Sequence, residues 1–404
     1  MSSVAQRLLA IHGGPRTRST PFPQWPRPTP ASRRAINDVL ESGHWWQSGE
    51  GRAEDLEDWL ASYHDSLGAV AVTNGTHALE LSFKALGFGP GDEILVPALT
   101  FISTATAVTA VGATPIPVDI RSDTLCLDPM DLERRITSRS RAVVPVHLAG
   151  QPTDMTAIQD IVRNGSLLMV EDCAQATGAE WKGRRVGGWG DLSTTSFQAG
   201  KLLSGGEGGA VVIRSDAALL DRIKLLANCG RARGSKSYDH LVVGSNYRMT
   251  EFQAALILSQ VDEFDELCSL RQAAAVALTN ALVAENLAYP IIVDVNVTRM
   301  VWYMFMIRMT PTMLETMTNV ELAAALTAEG IPANHIYPPF YATRAYGDDD
   351  VESWEPCPRA EAAAREVIWL HHSLLLDGER GVQDIVCAMR KIDNAAREGT
   401  LHTL

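Results

Sequence analysis

From residue 54 onward short apolar runs alternate with amphipathic stretches, and this constrains the fold more than any other feature. "EDLEDWLASYH" has helical spacing, "AVAVTN" reads as a short buried strand, and "THALELSFKAL" is helical again, with apolar residues at three- and four-residue steps. "DEILVP", "TPIPVDI", "RAVVPVHL" and "LLMVED" read as further strands, with helices expected over 102–112, 128–137 and 153–163. Strands joined through helices run parallel, so the pattern predicts an α/β fold with a mainly parallel sheet covered on both faces. Two shorter strands, "STTSF" and "GGAVVI", follow without long helices between them.

Residues 215–228 and 249–285 read as helices, the second bridging two domains. Beyond it the texture changes. "VWYMFMIRM", a helix over 319–329, "IPANHIYPPF", a helix over 359–366, "VIWLHH" and a helix over 380–396 predict a smaller α/β domain. The expected division is an N-terminal arm and large domain over 1–262 and a small C-terminal domain over 263–404. The arm is "RSTPFPQWPRPTP", too rich in proline for a helix, and its Phe22 and Trp25 need cover from the body.

The formal net charge of −13 argues against nucleic acid or an anionic membrane as partner, while leaving room for a local anion pocket. No apolar run reaches spanning length, so no transmembrane helix is expected, and "MSSVAQRLLAIHGG" is read as lacking a signal-peptide core and cleavage site. The six cysteines form no CxxC pair, which predicts neither a disulfide framework nor zinc. The expected location is the cytoplasm. Adjacent His371 and His372 have no third ligand nearby in sequence, so no metal site is expected.

Lysine is scarce, six against 29 arginines. Lys84, Lys182, Lys224, Lys236 and Lys391 read as surface positions. Lys201 alone stands in an apolar, glycine-bound stretch, "SFQAGKLLSGGEGGAVV". A lysine in poor solvent loses its proton more easily and becomes a nucleophile; the plain alternative is a Gly-rich turn with an incidental lysine.

In parallel sheets ligands sit beyond the carboxyl ends of strands, so the residues just after each strand matter most. After the first strand Asn74, Gly75 and Thr76 open a helix, a seat for phosphate or simply a capped terminus. Phe101, after "EILVP", could cover a planar ligand or belong to the core. Asp172 ends "LLMVED" and Gln175 follows; a carboxylate there holds a pyridine nitrogen protonated, or merely caps a helix. Ser196 adds a second phosphate ligand. A phosphate seat, a ring cover, an aspartate and a lysine, in this order on one sheet, make the set pyridoxal 5'-phosphate needs: an anchor, an electron sink and an amine for the Schiff base. GxGxxG, GxxxxGK[ST] and GxSxG are absent from these positions.

The run of "TNGTHALEL", "GDEILVPALTF", "VPVHLAGQPTDM", "VEDCAQATGA", "SFQAGKLLSGGEGGAVV" and "GSNYRMTEFQAA" resembles the DegT/StrS family of sugar and aminocyclitol aminotransferases. The resemblance implies a fold-type I pyridoxal phosphate enzyme. It assigns Lys201 to the covalent cofactor link, Asp172 to the pyridine nitrogen and Gln175 to the ring oxygen. Gly75, Thr76 and Ser196 would hold the phosphate, and Phe101 would stack on the ring. Asn246, in "GSNYRM", would reach the cofactor of a second subunit, which implies a homodimer with shared sites. "SGHWWQSGE", "FQAGKLLSGGEGG" and "VIWLHH" look closest to 3-amino-5-hydroxybenzoate synthases and scyllo-inosose-type aminotransferases. Ala199 stands where the former carry a larger amide, and "HIYPPFYATRAY" looks more like the cyclitol branch.

The resemblance therefore implies transfer of an amino group from L-glutamine or L-glutamate to a cyclic ketone in antibiotic biosynthesis. A dehydrating, aromatising lyase and a catalytically silent regulatory relative are the alternatives. Trp45, Trp46, Tyr337, His371 and His372 are substrate-pocket candidates, with burial in the core the plain alternative for the two tryptophans.

Overall fold

The computed structural model of the chain describes residues 8–235, 237–347 and 354–399. Seven strands form the large sheet: β1 (Gly68–Val72), β2 (Glu93–Pro97), β3 (Thr114–Val118), β4 (Ser140–Val143), β5 (Leu168–Asp172), β6 (Leu192–Ser196) and β7 (Gly209–Ile213). Their order is β1-β7-β6-β5-β4-β2-β3. Only β7 is antiparallel to its neighbours, β1 and β6. Two reversals restore direction, so β1, β2, β5 and β6 all present their carboxyl ends at one edge. The expected mainly parallel, seven-stranded sheet is observed.

The helices Gly75–Leu86, Ser103–Ala110, Pro129–Arg135 and Met155–Gly165 supply the crossovers. Strand residues of β2 are buried throughout, as a sheet covered on both faces requires. A second, antiparallel sheet follows: β8 (Tyr289–Pro290), β9 (Met304–Arg308), β10 (Ala333–His335) and β11 (Val367–His371), in the order β8-β9-β11-β10.

Three expectations are corrected. The helix expected over 249–285 is two helices, Glu251–Leu258 and Val261–Ala284. Between them Gln260 turns its amide onto the backbone: its Oε1 accepts from Ser204 N–H and its Nε2 donates to the Ser204 and Leu256 carbonyls. The break is thus made by a tertiary contact, not by a glycine or proline. The second of these helices is also long and apolar enough to cross a membrane, by length and composition alone. Its buried positions Phe264, Cys268, Arg271, Ala275, Leu278 and Leu282 recur at three and four residues, so one face packs into the fold, and it lies against the Gly378–Arg397 helix. Lys391 is no free surface lysine: its ammonium bonds both oxygens of the buried Glu329, at 2.8 and 2.9 Å. Lys236 lies outside the described residues.

The proline-rich arm lies extended on the body. Arg18 is buried between Asp377 and Asp384, at 2.6 and 2.9 Å, with its guanidinium 3.7 Å from the Phe22 ring centroid. The arm ends at Thr29, whose side chain caps the Pro30–Ser42 helix.

Candidate active site

The carboxyl edge of the large sheet opens into a cavity of about 660 Å³. Seven of the eight proposed cofactor positions line it: Gly75, Thr76, Phe101, Asp172, Gln175, Ser196 and Lys201. Tyr337 lines it as well.

The phosphate end is built by close approach. A Cβ at Gly75 would meet the Ser196 Cβ at 2.8 Å, so a larger residue would close the gap between helix and β6. Asn74 caps the helix by accepting from His77 N–H at 2.8 Å. The Gly75 and Thr76 N–H groups are left with no acceptor among the described residues. Orphan donors at a helix N-terminus, beside the hydroxyls of Thr76 and Ser196, suit a phosphate dianion. Thr76 Oγ1 donates to Ser103 Oγ at 2.8 Å, which fixes its rotamer.

At the far end Asp172 ends β5, buried, with its carboxylate turned to the cavity. Its Oδ1 accepts from Ala174 N–H at 3.1 Å and its Oδ2 from Thr104 Oγ1 at 2.9 Å. Gln175 Oε1 accepts from Ala149 N–H at 2.7 Å, which turns Nε2 toward the Tyr337 hydroxyl at 3.3 Å. Burial pushes the Tyr337 phenol up, so it stays a hydroxyl.

Lys201 Nζ lies 4.3 Å from the centroid of the Tyr303 ring. Burial pushes its ammonium down to about 8, against the pull of Asp172. That leaves about a tenth of it as free amine at pH 7, far more than an ordinary lysine. Phe101 is 54 % exposed at the mouth, with its ring edge-on to Tyr337 at 6.2 Å.

The other proposed residues lie elsewhere. Trp45 and Trp46 are neither core nor cavity-lining: they are 50 % and 56 % exposed, because the segment after the Pro30–Ser42 helix runs along the surface. Trp46 lies beside Arg248 at 5.3 Å, and Trp45 near Phe252 at 5.9 Å. Asn246 is exposed in the same region, paired by backbone to Asn228. His371 and His372 do not line the cavity. They sit behind the lysine, where each Nε2 reaches the Gly200 carbonyl, at 3.3 and 3.0 Å.

The sequence reading missed Thr104, Tyr303 and Trp369, the last two supplied by the second sheet and its approach. Thr104 carries a readable signal: with Thr100 it stands one helical turn apart just after β2, and their hydroxyls meet at 2.9 Å. Tyr303 and Trp369 carry none.

One further cluster of ligand types, His147, Glu171 and Cys173, is buried under β5. Glu171 accepts from the amides of Gly187, Trp189 and Gly190, at 2.6 to 2.7 Å, and from His147 Nε2 at 3.2 Å. His147 Nδ1 accepts from Thr153 N–H. With its oxygens so engaged, the carboxylate is a structural hub.

The family model for DegT/DnrJ/EryC1/StrS aminotransferases matches residues 28–390. The chain is 38 % identical to 3-amino-5-hydroxybenzoate synthase of Amycolatopsis mediterranei, over 89 % of this chain and 94 % of that protein. It is 36 % identical to L-glutamine:2-deoxy-scyllo-inosose aminotransferase of Micromonospora echinospora, over 97 % and 99 %. The solved 3-amino-5-hydroxybenzoic acid synthase superimposes with a TM-score of 0.88 at 35 % identity, over 94 % of this chain and all of that one. The PLP-form of the putative sugar aminotransferase Spr1654 from Streptococcus pneumoniae gives 0.84 at 27 % identity, over 94 % and all of that chain. On this evidence the chain belongs to the DegT/DnrJ/EryC1/StrS aminotransferase family.

Proposed function

We propose that the protein uses pyridoxal 5'-phosphate to move an amino group from L-glutamine or L-glutamate to a ketone of a cyclitol. The observation that carries this reading is one cavity holding a buried-side amine, Lys201, a buried carboxylate, Asp172, and a helix N-terminus with unpaired donors. The glutamine donor and cyclitol acceptor are drawn from relatives such as the Micromonospora enzyme. When bound, the cofactor supplies a pyridine ring that takes up electrons from the carbon next to nitrogen.

The chain's own residues would then do the following. Gly75, Thr76 and Ser196 hold the phosphate and so fix the ring's distance from Lys201. Asp172, itself held by Thr104 and Ala174, keeps a proton on the pyridine nitrogen. Gln175 Nε2 would donate to the ring oxygen. Lys201 would hold the cofactor through Nζ and, as a free amine, would move a proton there as a general base. Phe101 and Tyr337 limit water at the mouth. We further propose a homodimer, with Asn246 reaching the partner's site.

A specific finding favours a second reading, loss of water from an aminated cyclohexenone acid to give an aromatic product. The 3-amino-5-hydroxybenzoate synthase is 38 % identical and its solved counterpart superimposes at 0.88. The test supplies L-glutamine alone. Transfer leaves one equivalent of the donor's 2-oxo acid per site, and a later addition of scyllo-inosose yields an aminocyclitol. An aromatic chromophore from the aminated acid, with glutamine untouched, puts the second reading first.

A further inference from the structure

The backbone of Lys201 is held from outside its own loop. Gly200 O accepts from both His371 Nε2 and His372 Nε2, and Lys201 O accepts from the indole Nε1–H of Trp25 at 2.9 Å. A carbonyl only accepts, so all three ring nitrogens carry their hydrogen. His371 is fixed in that tautomer on its other side, where Nδ1 accepts from Ser373 N–H. Burial pushes both imidazoles down, His372 further than His371, which keeps them neutral.

The three rings also pack on one another. His371 and His372 lie 4.1 Å apart, and Trp25 meets His372 edge-on at 4.8 Å. Arg271 lies 5.0 Å from the Trp25 ring. It is fully buried, and none of its guanidinium nitrogens finds a hydrogen-bond acceptor among the described residues. A cation with no carboxylate leans instead on the indole face.

We propose that Trp25, His371 and His372 are positioning residues for Lys201: three ring N–H groups, from the amino-terminal arm and the second sheet, clamp two successive carbonyls so that Nζ is held over Tyr303 inside the cavity. The loop needs such anchors. Gly200, Gly205, Gly206 and Gly208 surround the lysine, and glycine supplies little rigidity of its own. Releasing a carbonyl lets the loop move and lets water reach the ammonium, which restores its ordinary affinity for a proton. The inference rests on Lys201 as the reactive amine of the proposed function, but its deciding readout, the labelling profile, needs neither turnover nor bound cofactor.

The cofactor-free full-length chain is labelled with trace acetic anhydride across pH 6–11, and peptide mass spectrometry reads Lys201 against the exposed Lys84. Trp25→Phe keeps a ring at the site and removes the donor. Lys201 labelling at pH 8 should fall by about 3-fold or more relative to Lys84, with the midpoint moved upward. The dissociation constant for pyridoxal phosphate should rise by about 10-fold, the scale of one good hydrogen bond. Trp189→Phe, which removes an indole N–H directed at the Arg184 carbonyl, should change neither. An unchanged Lys201 profile in Trp25→Phe overturns the proposal, and so does a change that Lys84 shares, since that reports general loosening. If Trp25→Phe does not fold, His371→Phe is read by the same criteria. A wild-type chain that labels normally but binds no cofactor would overturn the proposed function and leave the clamp standing.

Discussion

Thr104 Oγ1 donates a 2.9 Å hydrogen bond to Asp172 Oδ2, joining the helix after β2 to the end of β5. Both residues are buried, so the bond is made in poor solvent and links the carboxylate to a rigid support. Thr104→Val keeps the shape and removes the donor. The expected result is a folded protein whose kcat/KM falls by about 10-fold, since a hydrogen bond to a charged group is worth about 1.5–3 kcal/mol and Ala174 N–H still holds the other oxygen. Steady-state kinetics beside a thermal melt checks this; a change in melting temperature alone would make Thr104 a packing residue.

The amine of Lys201 gives a pH dependence. Its folded pKa lies below the ordinary lysine value, at about 8, so between that pH and the unfolded value the unfolded chain binds more protons. This group therefore makes the cofactor-free protein more stable as pH rises through that window. Chemical labelling of Lys201 should rise with a midpoint near 8. Asp172→Asn removes the charge that pulls the pKa upward, so the midpoint should move lower still. A midpoint that rises in Asp172→Asn would show that Asp172 does not face the amine.

Gly75→Ala tests the phosphate seat. The added Cβ meets Ser196 Cβ at 2.8 Å, so the helix start must withdraw from β6. Because alanine is a better helix residue than glycine, stability should change little. Cofactor affinity should fall by at least ~10-fold, as donors move away from the dianion. Equilibrium dialysis of the variant measures it, and wild-type affinity would place the phosphate elsewhere.

Much of this was legible because strand ends are local signals. Asp172 and Asn74 each follow an apolar run and Ser196 closes a short threonine-rich strand, and a parallel sheet brings such ends to one edge whatever the loops do. Lys201 stood out by the solvent its neighbours would deny it. Contacts between distant segments left no such mark. Tyr303 meets Lys201 only because β9 and its approach dock beside the large sheet, and the break at Gln260 depends on Ser204. His371 and His372 are expected in the substrate pocket, yet they stand behind Lys201 on the Gly200 carbonyl, since one strand end offers either direction until its partner is known. The Pro30–Ser42 helix was legible and missed: Thr29 with Ser32 forms a capping box before Pro30 at the first turn.

Glu171, one residue before Asp172, has a structural task. Burial would push its carboxyl up, but the His147 N–H and the amides of the 187–190 turn outweigh that and bring it below the ordinary carboxylate range. Its stabilisation is present above the unfolded pKa and is lost as pH falls through the lower folded value. Glu171→Gln puts an NH2 against N–H donors, and should cost about 3 kcal/mol, read as a lower midpoint in denaturant. An unchanged midpoint would mean that the turn is held by other contacts.

Asn246 decides whether the site is shared. It is exposed, absent from the cavity of its own chain, and displayed on a segment flanked by Trp46 and Arg248. A residue so placed can serve a cofactor only from a second subunit. Asn246→Ala should therefore weaken cofactor binding without altering the labelling of Lys201 in the cofactor-free chain. Lys201→Ala should abolish turnover while keeping the seat. Mixed and allowed to exchange, the two inactive or weakened chains should form heterodimers in which one site carries both defects and the other carries neither. Recovered activity should approach one intact site per heterodimer, at cofactor concentrations where Asn246→Ala alone is mostly unloaded. If each site is built from a single chain, exchange leaves every site with one defect or the other, and activity stays at the sum of the two parents. Sedimentation velocity on the same mixture separates this outcome from a failure to exchange, because a monomer in solution would exclude sharing outright.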